Sequence, residues 1–192
     1  MDTGHLVTLK CAPETLRALA SGLTRFGRSN GEPEWLVSGV WLCAGEDCYL
    51  ATASVEVLSS GYVARTLCIG RPGDLAQSLD SELPDVADRL LTHGNGLTLP
   101  AAEPPRVPES LSECAAGAFQ MQVLIRVSQR ASTVHHVACA LLFSGRDNAQ
   151  LLIGTDISSL AMVLSEDSAL IARYREDCEV LTADDYLGRT GT

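Results

Sequence analysis

Helically spaced apolar residues define the first long segment of the chain. The spacing starts at Pro13 and continues with leucines and Phe26 at intervals of three and four, which predicts a helix ending near Gly27. Pro13 suits the first helical position because its missing N–H would have no partner there. A short strand is predicted before this helix, at residues 5–10.

Apolar runs separated by polar turns then predict a series of strands. The first three form an antiparallel meander at residues 35–43, 49–57 and 61–70. Residues 135–157 contain two apolar runs around a polar turn, which predicts a β-hairpin. Two further strands are predicted at residues 119–127 and 160–164.

Two acidic segments show helical spacing of their apolar residues. Residues 74–91 are predicted to be helical with a kink at Pro84, which cannot donate the interior hydrogen bond. Ser165 is predicted to cap a final helix. The buried stripe of that helix would consist of Leu170, Ile171, Tyr174, Cys178 and Leu181. Thr182 and Asp185 have the spacing to start one more turn.

The order of these elements predicts an α+β fold with antiparallel sheet meanders and packed helices. Residues 94–109 hold four of the eight prolines and predict a linker, which separates an N-terminal half, 1–93, from a C-terminal half, 110–192. Both halves can be drawn as helix, three strands, helix. The stretch VWLCAGED at 40–47 also matches ALLFSGRD at 140–147 in three positions. Two similar halves and one mixed domain with a broad sheet remain open, and in either case we expect one compact unit.

Charge is concentrated in the two acidic segments. The chain has 14 basic and 24 acidic residues, a net charge of −10. Residues 74–91 hold five acids and one arginine, and residues 156–185 hold eight acids and two arginines. These two segments therefore account for the whole excess of acidic over basic residues. Direct nucleic-acid binding needs a basic footprint, so we do not expect it.

The apolar pattern and the cysteines bear on the compartment. No window approaches the roughly 20 uninterrupted apolar residues that span a bilayer, and no signal peptide is evident, so we expect a cytoplasmic protein without membrane association. Seven cysteines are scattered mostly among apolar neighbours, which indicates reduced, buried thiols. Cys43 and Cys48 flank a turn, but further zinc ligands are missing nearby. We expect no metal and no cofactor.

Few residues suggest catalysis. His135 and His136 are adjacent, so in a strand their side chains face opposite sides and only one could join a given site. We expect one at a sheet edge and one in solvent. His93 would complement a helix C-terminus, and Asp156 suits a turn or cap better than a catalytic role. The motifs GxGxxG, the Walker lysine, HExxH and GxSxG are all absent.

The acidic helices therefore carry the functional hypothesis. We expect a non-enzymatic protein-interaction or regulatory protein that binds a partner with a basic surface. The candidate binding residues are Asp80, Glu82, Asp85, Asp88, Glu176, Asp177, Glu179, Asp184 and Asp185. One alternative is an inhibitor that mimics nucleic acid and occupies a nucleic-acid-binding channel. Another is a small hydrolase or transferase with a histidine-containing pocket. Pairing of apolar sheet edges into a homodimer is also open.

Overall fold

The computed structural model describes a chain that is mostly β. It covers residues 5–28, 36–37, 39–71, 74–75, 120–130, 133–145, 148–156 and 161–191. Within these residues two sheets are accompanied by three short helices. The prediction of an α+β fold with packed helices is therefore wrong.

The strands are β1 (Leu6–Val7), β2 (Lys10–Cys11), β3 (Arg25–Arg28), β4 (Leu36–Val37), β5 (Val40–Ala44), β6 (Asp47–Val57), β7 (Val63–Gly70), β8 (Gln120–Arg130), β9 (Thr133–Ser144), β10 (Gln150–Thr155), β11 (Met162–Ser165) and β12 (Cys178–Thr182). The helices are α1 (Pro13–Ser21), α2 (Ser168–Glu176) and α3 (Ala183–Arg189).

The strands form a large sheet and a small sheet. The large sheet has the order β12-β8-β9-β10-β11-β4, and β1 pairs in parallel with β9. The small sheet has the order β2-β7-β6-β5-β3, in which only β2 and β7 are parallel. The predicted meander is confirmed as β5-β6-β7, and the predicted hairpin at 135–157 is confirmed as β9 and β10.

The main core lies between the two sheets. Leu42 and Leu67 of the small sheet are fully buried in the same apolar cluster as Leu141 and Ile153 of the large sheet. Hydrogen bonds also join the sheets, since Thr66 Oγ1 donates to the carbonyl oxygen of Ala138 at 2.6 Å. A second apolar cluster fills the opposite face of the large sheet. It contains Leu124, Cys139, Ala140, Leu142, Leu152 and Val163 from the strands and Ile171 and Tyr174 from α2.

The first helix is shorter than its apolar spacing predicts. Pro13 does occupy the start of α1, but the helix ends at Ser21 and Phe26 lies in strand β3. The chain turns there because strand pairing supplies the backbone partners, beginning with the Thr24 N–H, which donates to Cys43 O at 2.7 Å. Phe26 is buried in β3, and it would also be expected on the buried face of a longer helix. Its spacing from the preceding leucines therefore could not distinguish a helix from a strand.

The final helix was also predicted with the wrong boundaries. Its N-cap is Asp167, which accepts a hydrogen bond from Ala169 N, and Ser165 belongs to β11. The helix ends at Glu176, so the predicted stripe is divided and Cys178 and Leu181 lie in β12. The predicted turn at Thr182 is confirmed as the N-cap of α3.

Two predicted strands are each divided between the sheets. Residues 5–10 give β1 in the large sheet and β2 in the small sheet. Residues 35–43 give β4 in the large sheet and β5 in the small sheet. Residues 35–43 are apolar on both faces apart from Ser38, so they suit a position where the chain crosses from one buried layer to the other. As a result, β1 and β4 pair with strands from the C-terminal part of the chain.

Several predictions fall outside the described residues. They are the acidic helix at 74–91 apart from its first two residues, the linker at 94–109 and the histidine at position 93. Where the structure describes the chain, no helix is long and apolar enough to cross a membrane.

Candidate functional site

Four acidic side chains flank the ends of strand β12. Glu176 and Asp177 end α2 just before the strand, and Asp184 and Asp185 stand in the first turn of α3 just after it. All four are exposed. In the described part of the chain, β12 lies at the edge of the large sheet. We call these four residues the acidic C-terminal surface.

Glu179, also predicted as a binding residue, is already paired. It lies within β12 and not on a helix, and its Oε1 accepts a hydrogen bond from Arg189 Nη2 at 2.7 Å. This hydrogen bond holds the pKa of Glu179 below its usual value. The paired carboxylate is therefore less available to a partner than its neighbours.

Asp185 is exposed, and it also helps to start helix α3. Its backbone N–H donates to Thr182 Oγ1 at 3.1 Å, and the Thr182 hydroxyl donates to Asp185 Oδ2 at 2.7 Å. The two residues thus form a reciprocal cap that starts α3. Glu176, Asp177 and Asp184 remain as the members of the surface without such a hydrogen bond in the described residues.

The other four acids predicted to bind a partner lie outside the described residues. They are Asp80, Glu82, Asp85 and Asp88. The acidic C-terminal surface and Glu179 are therefore the part of the predicted binding set that the structure positions.

His135 is buried, contrary to the expectation of an edge or solvent position. It lies in β9 inside the large sheet and is only 2% exposed. Its Nε2 is 3.2 Å from Ser60 Oγ, and its ring stacks on Tyr62 with centroids 4.7 Å apart and planes 4° from parallel. His136 is half-buried and faces the other side of the strand.

Ser60 reaches His135 from the tip of the β6–β7 hairpin. Gly61 N donates to Leu58 O at 2.8 Å, and Leu58 N donates to Tyr62 O at 2.9 Å, which closes the turn. Gly61 has φ +74°, a conformation that glycine adopts without steric conflict. The turn leaves Ser60 exposed while Tyr62 covers the imidazole. Ser60, Tyr62 and His135 are called the hairpin-tip site.

The sequence does not reveal the hairpin-tip site. The histidine pair is visible as a candidate, but Ser60 lies 75 residues away from His135 along the chain. The local sequence SSGY indicates a turn and carries no signal for its partner. Only the packing of the hairpin on β9 brings serine and histidine together.

Cys43 and Cys48 form a disulfide, so the prediction of buried thiols is wrong for them. They are directly paired across β5 and β6 beside a two-residue loop. Gly45 in that loop has φ +63°, as the first position of a type II′ turn requires. The disulfide ties a hairpin that is already closed by strand pairing. Cys11, Cys68, Cys139 and Cys178 are not disulfide-bonded.

A second cysteine pair lies under α2. Cys139 Sγ is 3.8 Å from Cys178 Sγ, and Arg126 lies over the Tyr174 ring at 5.6 Å from its centroid. The hydrogen bond from Cys178 and the nearby Arg126 guanidinium lower the pKa of Cys139. Cys139 is completely buried, however, so no substrate reaches it. We regard this cluster as part of the packing between α2 and the large sheet.

Other polar candidates show structural roles or mixed charge. Asp156 N donates to Ala161 O at 3.0 Å between β10 and β11, as a turn residue does. A cavity of about 390 Å³ beside the start of α1 is lined by Lys10 and Arg71 but also by Glu14 and Asp74, so it selects neither charge. Across the described ranges, no group of three or more His, Cys, Asp or Glu side chains is placed to bind a metal.

Comparison with known proteins adds no relative to these observations. No protein-family model, no curated protein and no solved structure matches the chain.

Proposed function

We propose that the protein is an interaction protein that binds a basic protein partner through the acidic C-terminal surface. The observation that supports this most is the position of the exposed acids, which stand at both ends of β12. Complementary charges raise the rate of association and select against acidic partners.

The position of β12 suggests how the partner binds. An edge strand has backbone N–H and C=O groups that another chain can pair with. An extended basic segment that added to β12 would place its ends beside Glu176 and Asp177 on one side and Asp184 on the other. Main-chain pairing would then provide affinity, and the flanking charges would provide selectivity.

A nucleic-acid mimic is the competing form of this proposal. Its acids would imitate phosphates and occupy a channel that normally binds nucleic acid. Competition separates the two cases, because added nucleic acid displaces a mimic from its target and leaves an ordinary protein complex intact.

A cytoplasmic location stays a prediction, and the Cys43–Cys48 disulfide counts against it because such bonds persist mainly in oxidising compartments.

The test is capture of partners by the immobilised full chain. The variant Glu176→Lys/Asp184→Lys reverses one charge at each end of β12. We expect it to weaken partner binding about tenfold, as the loss of two modest charge interactions implies. Binding by the unmodified protein should also decrease steeply as salt is raised.

The matched control is Glu46→Lys/Glu56→Lys, which changes the net charge equally at two exposed acids of the small sheet and its turn. This variant should bind as the unmodified protein does. Equal weakening by both variants would mean that net charge matters and the acidic C-terminal surface does not. Salt-independent binding would also contradict the proposal.

A further inference from the structure

We propose that Ser60 and His135 form a nucleophile–base pair that cleaves small carboxylic esters with an apolar acyl group. This activity goes beyond the interaction function and does not depend on it. Two residues of the hairpin-tip site lie at the tip of the β6–β7 hairpin, and the third lies in β9. None of them belongs to the acidic C-terminal surface.

The distance between the two side chains suits proton transfer. Ser60 Oγ is 3.2 Å from His135 Nε2, within the range in which a histidine activates a serine. Ser60 is exposed, so a carbonyl group can approach it from solvent. His135 is 2% exposed and stands behind it.

Among the described residues, the imidazole is positioned by stacking on Tyr62 and not by an acid. Tyr62 lies parallel to the ring and restricts its rotation. His135 Nδ1 is buried and, among the residues that the structure describes, has no hydrogen-bond partner. For Ser60 to donate to Nε2, the proton of the neutral ring must be on this Nδ1. A serine–histidine pair that acts without a carboxylate is slower than a complete Ser-His-Asp triad.

The surroundings of Ser60 favour an apolar acyl group. Val57 and Val63 pair with each other directly beside the turn of the same hairpin and are 69% and 43% exposed. They are two of the three exposed large apolar residues in the described chain. The third, Val127, pairs with His136 and so lies on the other face of the large sheet. An acyl chain that reached Ser60 would bury part of the surface of Val57 and Val63.

The reaction is a balanced hydrolysis. Ser60 Oγ attacks the ester carbonyl carbon while its proton moves to His135 Nε2. The bond from the carbonyl carbon to the leaving oxygen then breaks, and the leaving alcohol takes the proton from Nε2. Water attacks the carbonyl carbon of the acyl-serine while one of its protons moves to His135 Nε2. The bond from that carbon to Ser60 Oγ then breaks and Oγ takes the proton from Nε2, which releases the carboxylic acid and restores both residues.

The test uses the full chain and p-nitrophenyl butyrate, with release of p-nitrophenolate as the readout. We expect saturable hydrolysis by the unmodified protein. Ser60→Ala should lower the catalysed rate by about 100-fold or more, the usual contribution of nucleophile activation by a base. Ser59→Ala is the matched control, an exposed serine one position earlier in the same turn, and should retain the rate.

Covalent labelling provides an independent readout. A fluorophosphonate probe should modify the peptide that contains Ser60, and His135→Asn should abolish that labelling. If His135→Asn fails to fold, Ser60→Ala still decides the question. Hydrolysis that is equal in Ser60→Ala and the unmodified protein, or labelling of a different residue, would overturn the proposal.

Discussion

Gly154 sets how closely α2 approaches the large sheet. A Cβ atom at this position would lie 2.9 Å from Ala140 Cβ and 3.3 Å from Tyr174 Cε1. The absence of a side chain lets the Tyr174 ring come close enough for its hydroxyl to donate to Thr155 O at 3.1 Å. One small residue in β10 therefore positions the helix that leads to the acidic C-terminal surface.

We expect Gly154→Ala to lower the free energy of unfolding by about 1–3 kcal/mol, because the added methyl group overpacks this contact. Urea unfolding measures the change. Gly188→Ala is the control, since a Cβ at Gly188 meets nothing within 4 Å. It lies in α3 and should raise stability by roughly 0.5–1 kcal/mol. Equal effects of the two substitutions would contradict the packing explanation.

Single-residue roles were predictable where the cause is local. Pro13 at the start of α1 and Thr182 at the start of α3 follow from backbone geometry that a few neighbouring residues determine. The contact of His135 with Ser60 and the pairing of Glu179 with Arg189 depend on the folded arrangement. No pattern in the sequence singled out either contact.

At the scale of elements, Tyr186 ties α3 to the N-terminal strands. Its hydroxyl accepts a hydrogen bond from Leu9 N at 2.7 Å, and both residues are buried. Leu9 lies between β1 and β2, where the chain passes from the large sheet to the small sheet. The contact satisfies a backbone group that neither strand pairs.

We expect Tyr186→Phe to lower the free energy of unfolding by about 1–3 kcal/mol, because the buried Leu9 N–H loses its acceptor. Chemical denaturation measures the global change. Hydrogen exchange gives a local readout, since the Leu9 amide should exchange faster in the variant. Unchanged exchange at Leu9 would show that this hydrogen bond does not protect the junction of β1 and β2.

Strands were predicted correctly where apolar residues lie on one face of a segment or where a polar turn separates two apolar runs. Alternation of apolar and polar residues correctly located β8, and the polar turn correctly located the hairpin of β9 and β10. Helix ends were missed because the segments after α1 and α2 keep apolar residues at helical intervals although they pair as β3 and β12. These segments form strands and not helices because they pair with strands that are distant in the sequence.

At the scale of the whole molecule, burial of tyrosines should limit stability in alkali. Burial is the main cause that raises the pKa of both Tyr174 and Tyr186 from 10.0 to about 12. Burial also raises the pKa of Cys11 from 9.0 to about 12. Folding therefore favours the protonated form of all three groups. Their contribution is complete below the unfolded pKa values and is lost as pH rises through the folded values.

We expect the free energy of unfolding to decrease between pH 9 and 12, the interval set by these pKa values. The advantage of the unmodified protein over Tyr186→Phe should shrink between pH 10 and 12, because only the unmodified protein must keep Tyr186 protonated. Urea unfolding at a series of pH values measures both effects. A constant difference between the two proteins would contradict a contribution from Tyr186.

The sequence by itself determined the local features of this protein: the start of α1, the meander β5-β6-β7, the hairpin of β9 and β10 and the acidic character of residues 156–185. Each depends on periodicity, turn chemistry or charge within a short segment. The tertiary structure alone decided which sheet each strand joins, that β12 forms an edge flanked by acids, and that Ser60 meets His135. These features depend on the free energy of contacts between segments that are distant in the sequence. A local sequence pattern does not indicate which of these contacts form.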